Sequence, residues 1–172
     1  TFASTDARDN AWGSWAQRAA AADGSEVVAI RDMGRRGSQA EVSALMAQLS
    51  RPWPFNAAAA SAIGELARRD AADTSAARTA VIGLLEAFDP RTREAAADAL
   101  RRIGLDSDDS AQAARVARIS LNIGVPRAQA CLLEALGPHL DAQTANRLWI
   151  DSVSSTARTV RAAAIRHLSQ HV

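Results

Sequence analysis

The chain has 172 residues, a length that fits one domain or one run of repeats. Hydrophobic residues make up 48% of it but aromatic residues only 4%, and tyrosine is absent, so alanine supplies much of the apolar character. The formal net charge is +1 and all 20 basic residues are arginine, which argues against a strongly basic nucleic-acid groove and leaves room for a local patch. The complete absence of lysine indicates the coding bias of a GC-rich, bacterial genome.

The sequence does not determine the cellular compartment of the protein. Cys131 is the single cysteine, so no intrachain disulfide forms, and its apolar neighbours predict a small buried hydrophobe. No apolar stretch approaches the ~18 residues that span a membrane. The chain begins at Thr1 rather than Met, so both a processed, exported form and an excised fragment remain open, with a soluble cytoplasmic protein favoured.

The first predicted element is a helix near residues 6–22. Its apolar stripe consists of Trp12, Trp15, Ala16, Ala19 and Ala20. This stripe predicts that residues 1–24 cap the repeats that follow.

A pattern of a small or apolar residue, with apolar residues three and six positions later, then recurs five times. Its copies are Val27, Ile30, Met33; Ala60, Ile63, Leu66; Ala97, Leu100, Ile103; Ala130, Leu133, Leu136; and Ala162, Ile165, Leu168. They begin 33, 37, 33 and 32 residues apart, which leaves room for two short helices per unit.

Second helices are predicted between these copies, near residues 39–50, 74–88, 110–122 and 141–154. Their apolar stripes are Val42, Leu45, Leu49; Val81, Leu84, Leu85, Phe88; Val116, Ile119, Ile123; and Ala145, Leu148 with Val153. Prolines at 90 and 126 fit helix starts, and Gly104, Gly124 and Gly137 fit helix ends. The turn at 107–110 suits an N-cap.

The segments Arg93–Gly104 and Arg158–Leu168 resemble the first helix of a HEAT repeat, with an arginine, an alanine-rich centre and a closing Leu or Ile. Asn56–Leu66 is similar, with Asn in the arginine place. The resemblance implies an all-α, right-handed solenoid of antiparallel helix pairs. We expect about four pairs over residues 25–155, and over 156–172 a helix that either caps the stack or begins another repeat.

In HEAT-like proteins the second helices line the concave face that binds the partner. Arg78, Arg115 and Arg147 share one place in three successive second helices, and Arg118 and Asn122 lie on the stripe of Arg115. Trp149 either packs under the last helix or projects beside Arg147. The predicted partner-binding residues are therefore Arg78, Arg115, Arg118, Asn122, Arg147 and Trp149, and they predict a partner with acidic groups.

Three further features are weighed for chemistry. Trp53 lies between two prolines and either fills the core between repeats or is an exposed anchor. His167 and His171 have metal-ligand spacing but no evident third ligand, so no metal site is expected. Serines, threonines and Cys131 form no recognisable nucleophile motif, so we predict no catalytic residues and no cofactor.

The favoured function is thus a non-enzymatic scaffold that binds a protein or peptide on its concave face. Two alternatives remain, each carried by resemblance to HEAT-like proteins. Alkylpurine DNA glycosylases use a basic concave groove with tryptophans and a carboxylate. The near-neutral net charge of this chain makes a nucleic-acid partner the weaker prediction. The second alternative is a resemblance to bilin lyases, which implies that the concave face binds a tetrapyrrole. The sequence does not predict the oligomeric state.

Overall fold

The structure, a computed structural model, describes residues 24–69, 73–106 and 109–169. These residues form helices and turns with no strand among them, and their helices alternate between two layers of an all-α solenoid. The predicted fold class is therefore confirmed. None of the helices in these ranges is long and apolar enough to cross a membrane.

Nine α-helices lie in the described ranges. The first helices of the repeats are α1 (Gly24–Arg36), α3 (Phe55–Arg68), α5 (Pro90–Ile103), α7 (Pro126–Leu136) and α9 (Arg158–Ser169). The second helices are α2 (Val42–Leu49), α4 (Arg78–Leu84), α6 (Ser110–Asn122) and α8 (Ala142–Val153). Single 3₁₀ turns at Gln39–Glu41 and Ser75–Ala77 lead into α2 and α4, and a third at Gly137–His139 follows α7.

The first helices pack directly on one another in chain order, from α1 to α9, and each second helix packs on the first helix that follows it. Small residues permit the close approach within the first layer. A Cβ on Gly34 would lie 2.5 Å from the Cα of Ala62, and one on Gly64 would lie 2.8 Å from the Cα of Ala99. Alanine and glycine at these contacts therefore set the short distance between neighbouring first helices.

The core follows most of the predicted stripes. Ala60, Ile63, Leu66, Ala97 and Leu100 are all fully buried. Hydrophobic burial along these stripes is the main stabilising contribution that holds successive repeats together.

Two parts of the predicted stripes are wrong. Ala162 and Ile165 are exposed, because the described chain places no helix on that side of α9; Val160, Ala163 and Ala164 are buried there instead. Phe88 is 65% exposed, because α4 ends at Leu84 and Phe88 lies in the turn before α5.

Side chains at the repeat boundaries fix where helices begin and end. The carboxylates of Asp89, Asp109 and Asp141 each accept a hydrogen bond from the backbone N–H three residues later, at 2.7–2.9 Å. Gly104 ends α5 with φ of +78°, a conformation that glycine adopts without strain. Asp109 supplies the predicted N-cap of α6, and residues 107 and 108 of the predicted turn lie outside the described residues. The predicted capping helix near residues 6–22 lies outside the described residues.

Candidate functional site

A cleft of about 600 Å³ opens on the layer of first helices. Its walls come from α1, α3, α5 and α7, together with the turn that precedes α3. The polar and aromatic side chains that line it are Arg31, Trp53, Ser61, Arg91, Glu94, Asp98, Arg101, Arg102, Arg127 and Cys131. Five arginines against two carboxylates make this surface attractive to anions.

The cleft lies on the opposite layer from the one expected. First helices contact their neighbours along their length, whereas contacts between successive second helices are sparse. The cleft therefore lies on the layer of the alanine-rich first helices, whereas the predicted partner-binding residues lie on the second helices. A partner surface on the second helices stays a prediction.

Three of the cleft arginines are held by carboxylates. Asp98 accepts from Nη2 of Arg101 at 2.7 Å and lies 2.8 Å from Nη2 of Arg102. Arg102 also donates to Glu65 of α3 at 2.9 Å. Arg127 of α7 pairs with Glu94 of α5 at 3.1 Å. The pairs with Glu65 and Glu94 join α3 to α5 and α5 to α7, so they hold cleft arginines in place between neighbouring repeats.

Ion pairing also changes the pKa of a carboxyl group that contacts a cleft arginine. Hydrogen bonding to Arg68, together with the charges of Arg68 and Arg102, lowers the pKa of Glu65 below its ordinary value, although burial opposes the shift. Glu65 therefore remains a carboxylate at neutral pH and keeps Arg102 in place.

Arg31 and Arg91 differ from the other three, because neither forms an ion pair within the described residues. The guanidinium carbon of Arg91 lies 5.5 Å from the centroid of the Trp53 ring, within range of a cation–π contact. Trp53 precedes a cis Pro54 and is partly exposed on the cleft wall. It is thus neither a core plug nor a fully exposed anchor, and it forms an indole surface beside a cation.

Cys131 lines the same cleft and packs against the core, but it is half-buried rather than buried as the sequence predicted. Burial raises the pKa of its thiol, and the charge of Asp98 raises it further, while Arg101 opposes the shift. The thiol is therefore protonated at neutral pH and a poor nucleophile.

Two of the six predicted partner-binding residues are engaged inside the fold. Arg78 donates through Nε to the carbonyl of Gly104 at 2.9 Å and lies 3.4 Å from Asp106, so it fastens the turn after α5. Trp149 is 1% exposed and packs edge-on against His167 of α9, with 4.5 Å between ring centroids. Trp149 therefore lies under the last helix, and its assignment to the binding surface is wrong.

The other four predicted residues are exposed on the second helices. Arg115 pairs with Glu86 at 2.7 Å, and Asn122 donates to the carbonyl of Arg118 at 3.2 Å. Arg118 and Arg147 point into solvent. The structure does not bring these residues into the cleft, and their contact with a partner stays a prediction.

The arrangement can bind anionic and planar groups, but it offers no evident catalytic device. No group of three or more metal-ligating side chains occurs in the described ranges. The cleft arginines Arg91 and Arg127 were missed from sequence, although both directly follow the proline that opens a first helix. That repeated Pro-Arg pair was the available signal.

Comparison with known proteins gives one informative likeness. No family model and no curated protein matches the chain. Among solved structures, the chain is similar to the complex of CpcE and CpcF of phycocyanin lyase from Nostoc sp. PCC7120, with 26% sequence identity and a TM-score of 0.65. The match covers 87% of this chain and 60% of that one, so this chain spans less than two thirds of its relative's length. The likeness supports a HEAT-like helical solenoid.

Proposed function

We propose that the protein is a non-enzymatic helical-repeat scaffold that holds an acidic segment of a partner protein in the first-helix cleft. The observation that carries the proposal is the charge of that cleft, with five arginines facing two carboxylates beside an indole ring. An extended surface of this kind is what a solenoid provides without any reactive group.

The distribution of ion pairs within the cleft favours Arg31 and Arg91 as the residues that contact the partner. Arg101, Arg102 and Arg127 are already neutralised by Asp98, Glu65 and Glu94. Arg31 and Arg91 keep their hydrogen-bond donors for an incoming carboxylate, which a guanidinium binds in bidentate fashion. An aromatic or planar side chain next to that carboxylate would pack on Trp53.

A protein partner is supported by the structural relative, which is a complex of two subunits. The cleft is also open along several repeats, which suits an extended chain better than a compact ligand. The residues on the second helices could extend such a contact, but they do not share the cleft.

Binding of a labelled glutamate-rich peptide tests the proposal. We expect the double substitution Arg31→Glu with Arg91→Glu to weaken binding at least ~10-fold, since two charge-assisted contacts are lost. The matched control is Arg118→Glu with Arg147→Glu, which changes charge equally on the second helices and should leave the affinity within about twofold.

The outcomes separate the two surfaces. If only the second-helix variant loses binding, the row predicted from sequence is the site and the cleft proposal is wrong. If the peptide binds neither the wild-type protein nor the variants at low salt, the acidic-partner function fails as a whole. Peptide binding should also protect Cys131 from alkylation, because that thiol lies in the cleft.

A second candidate is a lyase-type subunit that places an open-chain tetrapyrrole in the same cleft. The likeness to a phycocyanin lyase favours it, and the cleft volume of about 600 Å³ lies in the range of small-molecule sites. Carboxylates of the pigment would meet Arg31 and Arg91, and its rings would lie on Trp53. Titration with biliverdin should then give a saturable change in visible absorption that Arg31→Glu with Arg91→Glu abolishes; no saturable change would reject this candidate.

A further inference from the structure

Asp98 holds two of the cleft arginines at once. It lies on α5, and Arg101 and Arg102 follow it on the same face of that helix, three and four residues later. One carboxylate oxygen accepts from Arg101 Nη2 at 2.7 Å, and the other lies 2.8 Å from Arg102 Nη2. The Asp98 side chain is 34% exposed and lines the cleft. A single carboxylate therefore occupies donors of two of the five cleft arginines.

The same two arginines also meet carboxylates of the neighbouring helices. Glu65 of α3 accepts from Arg102 at 2.9 Å, and Glu134 of α7 lies 3.7 Å from Nε of Arg101. Among the described residues that line the cleft, Asp98 is present and these two glutamates are not. Asp98 is thus the carboxylate of this group whose charge faces a ligand in the cleft.

The positive charge that a ligand can use lies on other side chains. Arg31 belongs to α1 and Arg91 to the start of α5, and neither forms an ion pair within the described residues. Small uncharged residues add to the same wall, among them Ala57 and Ala58 of α3 and Ala95 of α5. A ligand with few acidic groups can direct them at the two arginines and rest its uncharged part on the alanines.

We propose that Asp98 determines the specificity of the cleft by excluding polyanions such as the backbone of a nucleic acid. The inference rests on the proposed binding of an acidic segment in this cleft. A peptide can turn its carboxylates toward Arg31 and Arg91 and leave uncharged atoms beside Asp98. A phosphodiester strand carries a negative charge on every nucleotide, so part of that charge lies against the Asp98 carboxylate and is repelled. The same carboxylate withholds donors of Arg101 and Arg102 from phosphate.

Binding of a labelled single-stranded oligonucleotide by Asp98→Asn tests the proposal. Asparagine keeps the size of the side chain and removes its charge, so Arg101 is left with its 3.7 Å contact to Glu134. We expect the affinity at low salt to rise at least ~5-fold over wild type, and the slope of log affinity against log salt to steepen by about 0.7, because one more phosphate is neutralised. Arg101→Gln added to Asp98→Asn should remove this gain.

Two variants serve as controls. Glu134→Gln removes the same charge from a carboxylate that also contacts Arg101 but does not line the described cleft, and it should change the oligonucleotide affinity by less than about twofold. Asp98→Glu keeps the charge and should bind the oligonucleotide as weakly as the wild type. Thermal melts followed by circular dichroism establish that each variant is folded.

The glutamate-rich peptide separates failure of this inference from failure of the proposed function. Asp98→Asn should change the peptide affinity by less than about twofold, because the peptide carboxylates meet Arg31 and Arg91. No gain in oligonucleotide affinity, an equal gain with Glu134→Gln, an equal gain for the peptide, or a gain that survives Arg101→Gln would each overturn the role of Asp98. If the oligonucleotide results are as expected but no peptide binds the wild type, the acidic-partner function fails and the exclusion of polyanions by Asp98 stands.

Discussion

Gly64 lies against the backbone of Ala99, so closely that a Cβ at position 64 would stand 2.8 Å from the Cα of Ala99. Helices α3 and α5 therefore meet backbone to backbone at this point. We expect Gly64→Val to destabilise the protein by about 1–3 kcal/mol, because the two helices must separate to admit the new side chain. Urea unfolding followed by circular dichroism measures the loss.

Gly83 provides a control position for a side chain added to a helical glycine. It is also helical, but a Cβ there meets nothing within 4 Å. Gly83→Ala should keep or raise the free energy of unfolding, by up to about 1 kcal/mol, because alanine restricts the unfolded chain. Equal losses at positions 64 and 83 would contradict the close packing of α3 on α5.

Leu100 and Ile165 occupy the same repeat position but differ in burial. Leu100 is fully buried, and Leu100→Ala should cost about 2–5 kcal/mol. Ile165→Ala should change stability by less than about 0.5 kcal/mol, since the side chain is exposed. Thermal melts of the two variants provide the comparison, and similar losses at both positions would mean that α9 is covered in the isolated protein.

Leu100 and Ile165 also show which structural features can be predicted from the sequence and which cannot. Periodicity placed Ala162 and Ile165 at the positions of Ala97 and Leu100, because an amphipathic stripe depends only on spacing along the helix. It could not show whether a neighbour covers that stripe, since burial depends on what packs beside the helix. For the same reason the alanine-rich centres of α3 and α5 could not show that this layer would line the cleft.

For the predicted site residues, too, the sequence predicted the position in the repeat but not the contacts of the side chain. Arg78 and Arg115 align in sequence, yet Arg78 is used to fasten a turn and Arg115 pairs with Glu86. Alignment predicts which positions are equivalent and cannot predict the local partner of a long side chain. The cleft depends on Arg31, Trp53 and Arg91, which come from different repeats and a loop, so no single motif contains it.

Acid should weaken the protein partly through Glu65. Its pKa is lowered in the folded state by Arg68 and Arg102, so the ionised form stabilises the fold at neutral pH. That contribution is present above the ordinary pKa of 4.5 and is lost as the pH falls through the lowered value. Glu65→Gln should therefore reduce stability at neutral pH, with a difference from wild type that disappears in acid.

Unfolding midpoints measured from neutral pH to well below 4.5 test this behaviour. Glu86→Gln serves as the control, because its pair with Arg115 is exposed and such pairs contribute little. A Glu65→Gln penalty that stays constant with pH would show that the side chain acts through packing rather than charge.

Random duplex DNA should bind the protein weakly even at low salt. Three of the five cleft arginines are already paired with carboxylates, so few phosphates could be neutralised, and the dependence of affinity on salt should be shallow. Fluorescence anisotropy with a labelled duplex measures both quantities. A steep salt dependence that Arg31→Glu with Arg91→Glu removes would instead favour the nucleic-acid alternative.

Cys131 should react slowly with alkylating agents at neutral pH. Burial and the nearby Asp98 raise its thiol pKa above the ordinary value of 9.0, so the reactive thiolate is scarcer than on a free cysteine. Iodoacetamide rates measured against pH should keep rising beyond the point where the urea-unfolded chain levels off. Asp98→Asn should speed the reaction by removing one cause of the raised pKa, whereas Arg101→Gln should slow it, because the opposing positive charge is lost. A faster reaction in both variants would mean that opening of the cleft, rather than charge, controls the thiol.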